Sequence, residues 1–235
     1  MVTVTELYKN AQALLKSAGI ESYRFDASCI MEQVFDANIH RLLLNPQMPA
    51  DEHSIELIQH MLEKRKNGFP LQYILGEWEF YGLPFKVGNG VLIPRQDTET
   101  LVELVLDYAG EKRGMKIADL CSGSGCIAVA VEKNLDNPDV CAIENSPEAF
   151  QYLMENIRLN NSNVNAVQGD VLDKTLADSF ESLDIVVSNP PYLTSKDMEQ
   201  LQTEVSFEPQ SALYGGSDGL LFYKNISRIW HDTLK

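Results

Sequence analysis

The sequence predicts an α/β protein in which a parallel sheet wound with helices follows a small helical bundle and a β-hairpin connector. Three observations predict it. Apolar residues recur at helical spacing through the first seventy positions, an aromatic and β-branched run broken by glycines comes next, and from residue 98 short apolar strands alternate with helices. The implied domains are residues 1–70, the connector at 71–95 and an α/β domain at 96–235.

Val4, Leu7, Ala11, Leu14, Leu15 and Ala18 share one helical face, capped by Thr3 or Thr5 and closed at Gly19. Ser22 opens a second helix carrying Phe25, Cys29, Ile30, Val34 and Phe35, and Pro46 and Pro49 break the chain after a short 39–44 segment. Asp51 caps a third, with Ile55, Ile58, Met61 and Leu62 inward, and Lys64, Arg65 and Lys66 complement its C-terminal dipole. The run from Gln72 to Val87 reads as a hairpin, with the aromatics Trp78 to Phe85 as connector core. Thr98 starts a further helix, and strands are expected at 116–120, 140–144, 163–168 and 184–188, with helices beginning near Gly125, Pro147 and Leu176.

The 235 residues carry 44% hydrophobic and 23% charged side chains, the balance of a folded globular chain rather than a disordered one. Nineteen Lys and Arg against 34 Asp and Glu leave a net charge of −15, which argues against a broad basic footprint on duplex nucleic acid. No apolar run is long enough to span a bilayer, and the first residues lack a basic segment followed by an apolar core, so the reading is cytoplasmic with no membrane partner. Cys29, Cys121, Cys126 and Cys141 lack the paired spacing of a metal site and read as reduced thiols; His40, His53, His60 and His231 are scattered and receive no role.

The first predicted strand runs into Asp119, Leu120, Cys121, Ser122, Gly123, Ser124, Gly125 and Cys126, a small-residue turn feeding directly into a helix. Glycines remove the Cβ that blocks a close ligand, and the free N–H groups of the helix start favour polar or anionic groups. The second strand ends in Glu144, roughly 25 residues after Asp119, near the spacing at which doubly wound folds hold a ribose diol with an acid. The third glycine of a dinucleotide loop is absent, so a nucleoside without pyrophosphate fits better. Asp170 and Val171, after the third strand, extend the same rim toward an adenine edge; an ordinary Gly-Asp turn accounts for them equally well.

The strongest signal is Asn189-Pro190-Pro191-Tyr192, directly after the fourth strand. Two prolines donate no hydrogen bond and hold the turn extended, leaving its carbonyls rigid. The Asn189 side-chain oxygen and the Pro190 carbonyl can each take one hydrogen of a planar NH2 group, aiming its lone pair along the normal, a geometry suited to methyl transfer to nitrogen. Tyr192 offers an apolar wall for a flat acceptor.

Residues 184–192, with the 119–130 loop upstream, resemble class I S-adenosyl-L-methionine-dependent methyltransferases of amide and exocyclic nitrogens. Gln72 to Gly76, Glu79 to Gly82, Val91 to Arg95, Thr98-Glu99, Phe207-Glu208-Pro209, Ala212-Leu213 and Asp218-Gly219-Leu220 narrow the resemblance to the PrmC/HemK family, the release factor glutamine methyltransferases. It implies a Rossmann-like sheet and methylation of the side-chain amide (N5) of the glutamine in the Gly-Gly-Gln motif of bacterial-type peptide chain release factors. It further implies a monomer that binds no nucleic acid directly, with the helical bundle aiding release factor recognition. On the matched positions Asp119 and Cys121 to Gly125 line the methionine side of the cofactor, Glu144 the ribose, and Asp170 and Val171 the adenine. Asn189 and Pro190 act on the glutamine amide, with Pro191 and Tyr192 beside them, and Asn189 also touches cofactor.

Two departures stand out. The family's first loop position is usually glycine where this chain has Cys121, and the family continues past the helix predicted at 220–234 through a fifth strand and a closing antiparallel pair. The strand at 184–188 is then expected to form an unprotected edge. Arg95 and Glu99 are expected to pin the connector by an ion pair. Three alternatives stay open: a ribosomal protein glutamine as substrate, although Thr98-Glu99 favours the release factor branch; adenine or guanine of nucleic acid; and a non-catalytic cofactor-binding protein.

Overall fold

A computed structural model describes residues 2–235 and divides the chain into two units, Met1–Gly76 and Glu77–Lys235. The first unit is helical. Its α1 (Val4–Ser17) begins at a capping box in which the Glu6 N–H donates to the Thr3 hydroxyl at 3.2 Å and the Glu6 carboxylate accepts from the Thr3 N–H at 2.8 Å. Val4, Leu7, Ala11 and Leu15 are buried along it, whereas Ala18 at its end is exposed.

In α2 (Tyr23–Phe35) the inward face differs from the expected one: Asp26, Ala27, Ile30 and Met31 are buried, and Phe25 is exposed. Asp26 accounts for the difference, since its carboxylate receives the Arg65 Nε–H at 2.6 Å with both side chains inside the unit. Arg65, in α4 (Glu52–Lys66), is therefore a buried ion-pair partner and not a solvated helix-end cation. A charge buried without its partner would be costly, which makes the pair a determinant of how the two helices meet. The short α3 (Ile39–Leu43) and α5 (Leu71–Leu75) complete the unit, so Gln72 to Leu75 form a helix and the hairpin starts later than expected.

The second unit opens with that hairpin, β1 (Glu77–Phe80) and β2 (Leu83–Lys86), joined at Tyr81 and Gly82 with φ of 52° and 73°. Positive φ at both turn positions matches the right-handed twist of the strands. Residues 96–98 make one 3-10 turn before α6 (Glu99–Ala109), and then β3 (Lys116–Leu120), α7 (Cys126–Asn134), β4 (Asp139–Glu144), α8 (Pro147–Leu159), β5 (Asn165–Gln168), α9 (Lys174–Ala177) and β6 (Ile185–Ser188) alternate. After α10 (Ser195–Met198), the final helix α11 (Leu221–Ile229) is shorter than expected, with a 3-10 turn at His231–Thr233 beyond it.

The four-stranded sheet is parallel, in the order β5-β4-β3-β6. Alternation along β3 sends Ile117 into a core with Val102, Val105, Val129 and Leu153, and Ala118 and Leu120 into a second core with Ala177, Ile229 and Trp230. Both faces are therefore covered, as a parallel sheet requires. The Trp230 indole N–H donates to the Val171 carbonyl at 2.8 Å, tying the segment after α11 to the turn after β5. β6 is the edge strand, as expected, but its approach is covered: Leu183 donates to the Thr233 carbonyl at 2.8 Å and accepts from the Lys235 N–H at 3.1 Å. No helix among the described residues is long and apolar enough to cross a membrane.

Candidate active site

Register brings the carboxyl ends of the strands together, with Leu120 opposite Ile143 and Ser188, and Glu144 opposite Gln168. Chain order reverses at β3, which lies between β4 and β6, and open α/β sheets bind ligands at such a switch point. A cavity of about 660 Å³ opens there, within the range of small-molecule sites.

Cys121, Ser122, Gly123 and Ser124 form its floor. Gly125 sits at the turn into α7 with φ of 80°, and a Cβ there would lie 2.4 Å from the Leu153 side chain, so the close approach of loop to helix α8 depends on glycine. Gly123 has φ of 57° with open space beside it, leaving backbone accessible to a ligand. Cys121 adopts the same left-handed region at φ of 59°, where side chains are disfavoured, which explains why a glycine suits this position. Burial, with the Glu144 and Asp119 carboxylates nearby, pushes its thiol up to about 12; it is a protonated wall, not a nucleophile.

Glu144 is held by two backbone N–H groups. One carboxylate oxygen accepts from the Gly123 N–H and the other from the Ser146 N–H, both at 2.8 Å. Each oxygen keeps a further lone pair, so the group can still accept two hydroxyl hydrogens from a diol. Asp170 folds back to accept from the Leu172 N–H at 2.8 Å, and with Val171 it lines the cavity beyond Glu144. Opposite, the Asn189 amide Nδ2 donates to the Thr98 hydroxyl at 3.1 Å, and both residues face the cavity with Pro191.

Not every expected residue lines this space. Asp119 is wholly buried beneath the loop, where its Oδ2 accepts from the Ala128 N–H at 3.2 Å; Gly125 and Pro190 are set back from the lining, and Tyr192 is exposed outside it. Arg95 and Glu99 do not pair: Arg95 bonds the buried Glu208, and Glu99 accepts from the Tyr81 N–H at 2.8 Å.

The cavity also takes in Leu92, Pro94, Arg95, Thr98, Ser211 and Phe222, which the sequence reading assigned no role in binding. Arg95 comes from the end of the connector, Thr98 from the turn before α6, and Ser211 and Phe222 from the long segment after β6, elements whose place at the sheet edge no local pattern announces. The charged lining is Glu144, Glu148 and Asp170 against the single guanidinium of Arg95. Such an acidic lining, rich in acceptors, suits a nucleoside ligand of net positive charge.

Two family profiles match the chain, "PrmC N-terminal domain" over residues 6–76 and "Methyltransferase small domain" over residues 96–219. A relative from Fusobacterium nucleatum described as a release factor glutamine methyltransferase is 40% identical over 233 residues, covering 98% of this chain and 65% of the relative. One of the same description from Clostridium botulinum is 37% identical, covering 94% of this chain and 79% of the relative, and one from Bacillus subtilis is 36% identical, covering 96% and 79%. Among solved structures, the catalytic domain of hMettl16 with an RNA hairpin aligns at a TM-score of 0.51 and 17% identity over 76% of this chain and 63% of that one, a likeness of fold. The chain belongs to the release factor glutamine methyltransferase family.

Proposed function

We propose that this chain transfers the methyl group of S-adenosyl-L-methionine to the side-chain amide nitrogen of the glutamine in the Gly-Gly-Gln motif of peptide chain release factors, acting as a cytoplasmic monomer. The observation that carries the reading is a single cavity bordered on one side by the backbone-held Glu144 carboxylate and on the other by Asn189 and Pro191. The cofactor, when bound, supplies an electrophilic methyl on a sulfonium.

Glu144 would accept hydrogen bonds from the two ribose hydroxyls, while the Cys121 to Ser124 backbone and the acidic lining would receive the cationic methionine portion. Val171 and Asp170 would flank the adenine. Asn189 accepts one hydrogen of the substrate amide through Oδ1, the family resemblance assigns the second to the carbonyl of Pro190, set back behind the lining, and Tyr192, exposed beside the cavity, packs along the incoming chain. An amide nitrogen is a weak nucleophile because its lone pair is delocalised, so orientation against the methyl carries the rate enhancement more than a strong base does. With a methyl taken from the bound sulfonium, the amide nitrogen would become acidic and would release one proton to solvent.

The family resemblance supports the protein substrate, and the net charge of −15 weighs against nucleic acid. The helical unit is assigned to release factor recognition on the same grounds. Purified chain incubated with labelled cofactor and, separately, release factor, its Gln→Ala version, ribosomal protein and RNA tests the reading. Label on intact release factor alone is expected; label on RNA or on the Gln→Ala protein contradicts it.

A further inference from the structure

The two ends of the Asn189 carboxamide have opposite hydrogen-bonding character, and only its oxygen can accept from a substrate NH2. A half-turn about the last side-chain bond would present NH2 to NH2 and repel the acceptor. Resting on the function proposed above, we infer that Thr98 is the positioning residue that fixes this orientation. The Asn189 Nδ2 donates to Thr98 Oγ1 at 3.1 Å, which places the nitrogen end on the protein and leaves Oδ1 for substrate.

Thr98 suits the task because it is itself held. Its side chain is buried at the cavity edge, and β-branching restricts its rotation. Its N–H donates to the Arg95 carbonyl at 3.0 Å. The segment before it is pinned from across the site: the buried Glu208 carboxylate accepts from the Ile93 N–H at 3.1 Å and from the Arg95 guanidinium. Connector, post-β6 segment and Asn189 thus form one braced unit behind the amide. Thr98 touches neither substrate nor cofactor in this role; it acts through Asn189.

The test compares wild type, Thr98→Val and Thr98→Ser in the full chain, with kinetics of methyl transfer to release factor, calorimetric cofactor affinity, and NMR of the Asn189 side-chain amide. Thr98→Val keeps shape but removes the hydroxyl. It is expected to lower kcat about tenfold, with KM and cofactor affinity changed less than about twofold, and to speed solvent exchange of the Asn189 amide protons. Thr98→Ser is expected to recover kcat to within about threefold of wild type. Should Thr98→Val fail to fold, Thr98→Ala supplies the comparison. Unchanged kcat in a folded variant, a loss carried by cofactor affinity, or equal losses in the Ser and Val variants overturns the proposal. If wild type itself transfers no methyl to release factor, the functional reading fails instead, and the amide exchange then decides the orientation: no change in Thr98→Val overturns it.

Discussion

Asp119 is wholly buried, with one carboxyl oxygen on the Ala128 N–H and the other without a hydrogen-bond partner among the described residues. Its position at the start of α7 favours an anion, because Gly125 offers no side chain to the free N–H groups there. Burial wins nevertheless and, with the Glu144 charge adding to it, raises the carboxyl from 3.8 to about 7. The sign follows. Below the unfolded value of 3.8 both states carry the proton; between there and about 7 the unfolded chain releases it first, so this group's contribution to stability falls as pH rises and levels off above. Denaturation of wild type and Asp119→Asn should give a stability difference that shifts against wild type from pH 4 to pH 7. A difference that is flat over that window contradicts the assignment.

Residues such as Asn189 and Glu144 were legible because each sits at the end of a readable strand beside punctuating glycines or prolines. Thr98 and Glu208 stand in the family motifs, but their contacts and those of Asn156 are not legible, because each acts on a partner far away in sequence. The same blindness misjudged α2: helical spacing alone put Phe25 inward, whereas the Asp26–Arg65 pair decides the face.

At the scale of elements, the hairpin and the glycine loop share a clamp. Asn156 on α8 is fully buried and accepts from the Lys86 N–H at 2.6 Å, while its Nδ2 donates to the Lys86 carbonyl at 3.0 Å and to the Ser124 carbonyl at 2.9 Å. It satisfies β2 as a neighbouring strand would and holds the loop that floors the cavity. Asn156→Leu conserves size but strands one buried and two part-buried backbone groups, so a loss of about 2 kcal/mol in urea denaturation is expected, with weaker cofactor binding. A loss under about 0.5 kcal/mol would show that the clamp is dispensable. The alternation of strands and helices was readable from apolar runs, and the boundaries moved by a few residues where short turns tighten, as at 96–98 and at His231–Thr233.

For the molecule as a whole, a parallel sheet covered on both faces sets the cavity at the reversal of strand order, and the acidic charge of the chain continues into the lining. Family membership is independent of this geometry and agrees with it: the profile over residues 96–219 spans the whole sheet together with most of the cavity lining. Glu144 and Asn189 border one cavity, and the proposed function makes it the chamber in which a glutamine amide receives the methyl. Mass spectrometry of release factor treated with wild type, Glu144→Ala and Asn189→Ala tests it most directly. One added methyl on the amide nitrogen of the Gly-Gly-Gln glutamine is expected with wild type, and rates at least about 100-fold lower with either variant. A methyl placed elsewhere on the release factor, or undiminished transfer by Asn189→Ala, would contradict it.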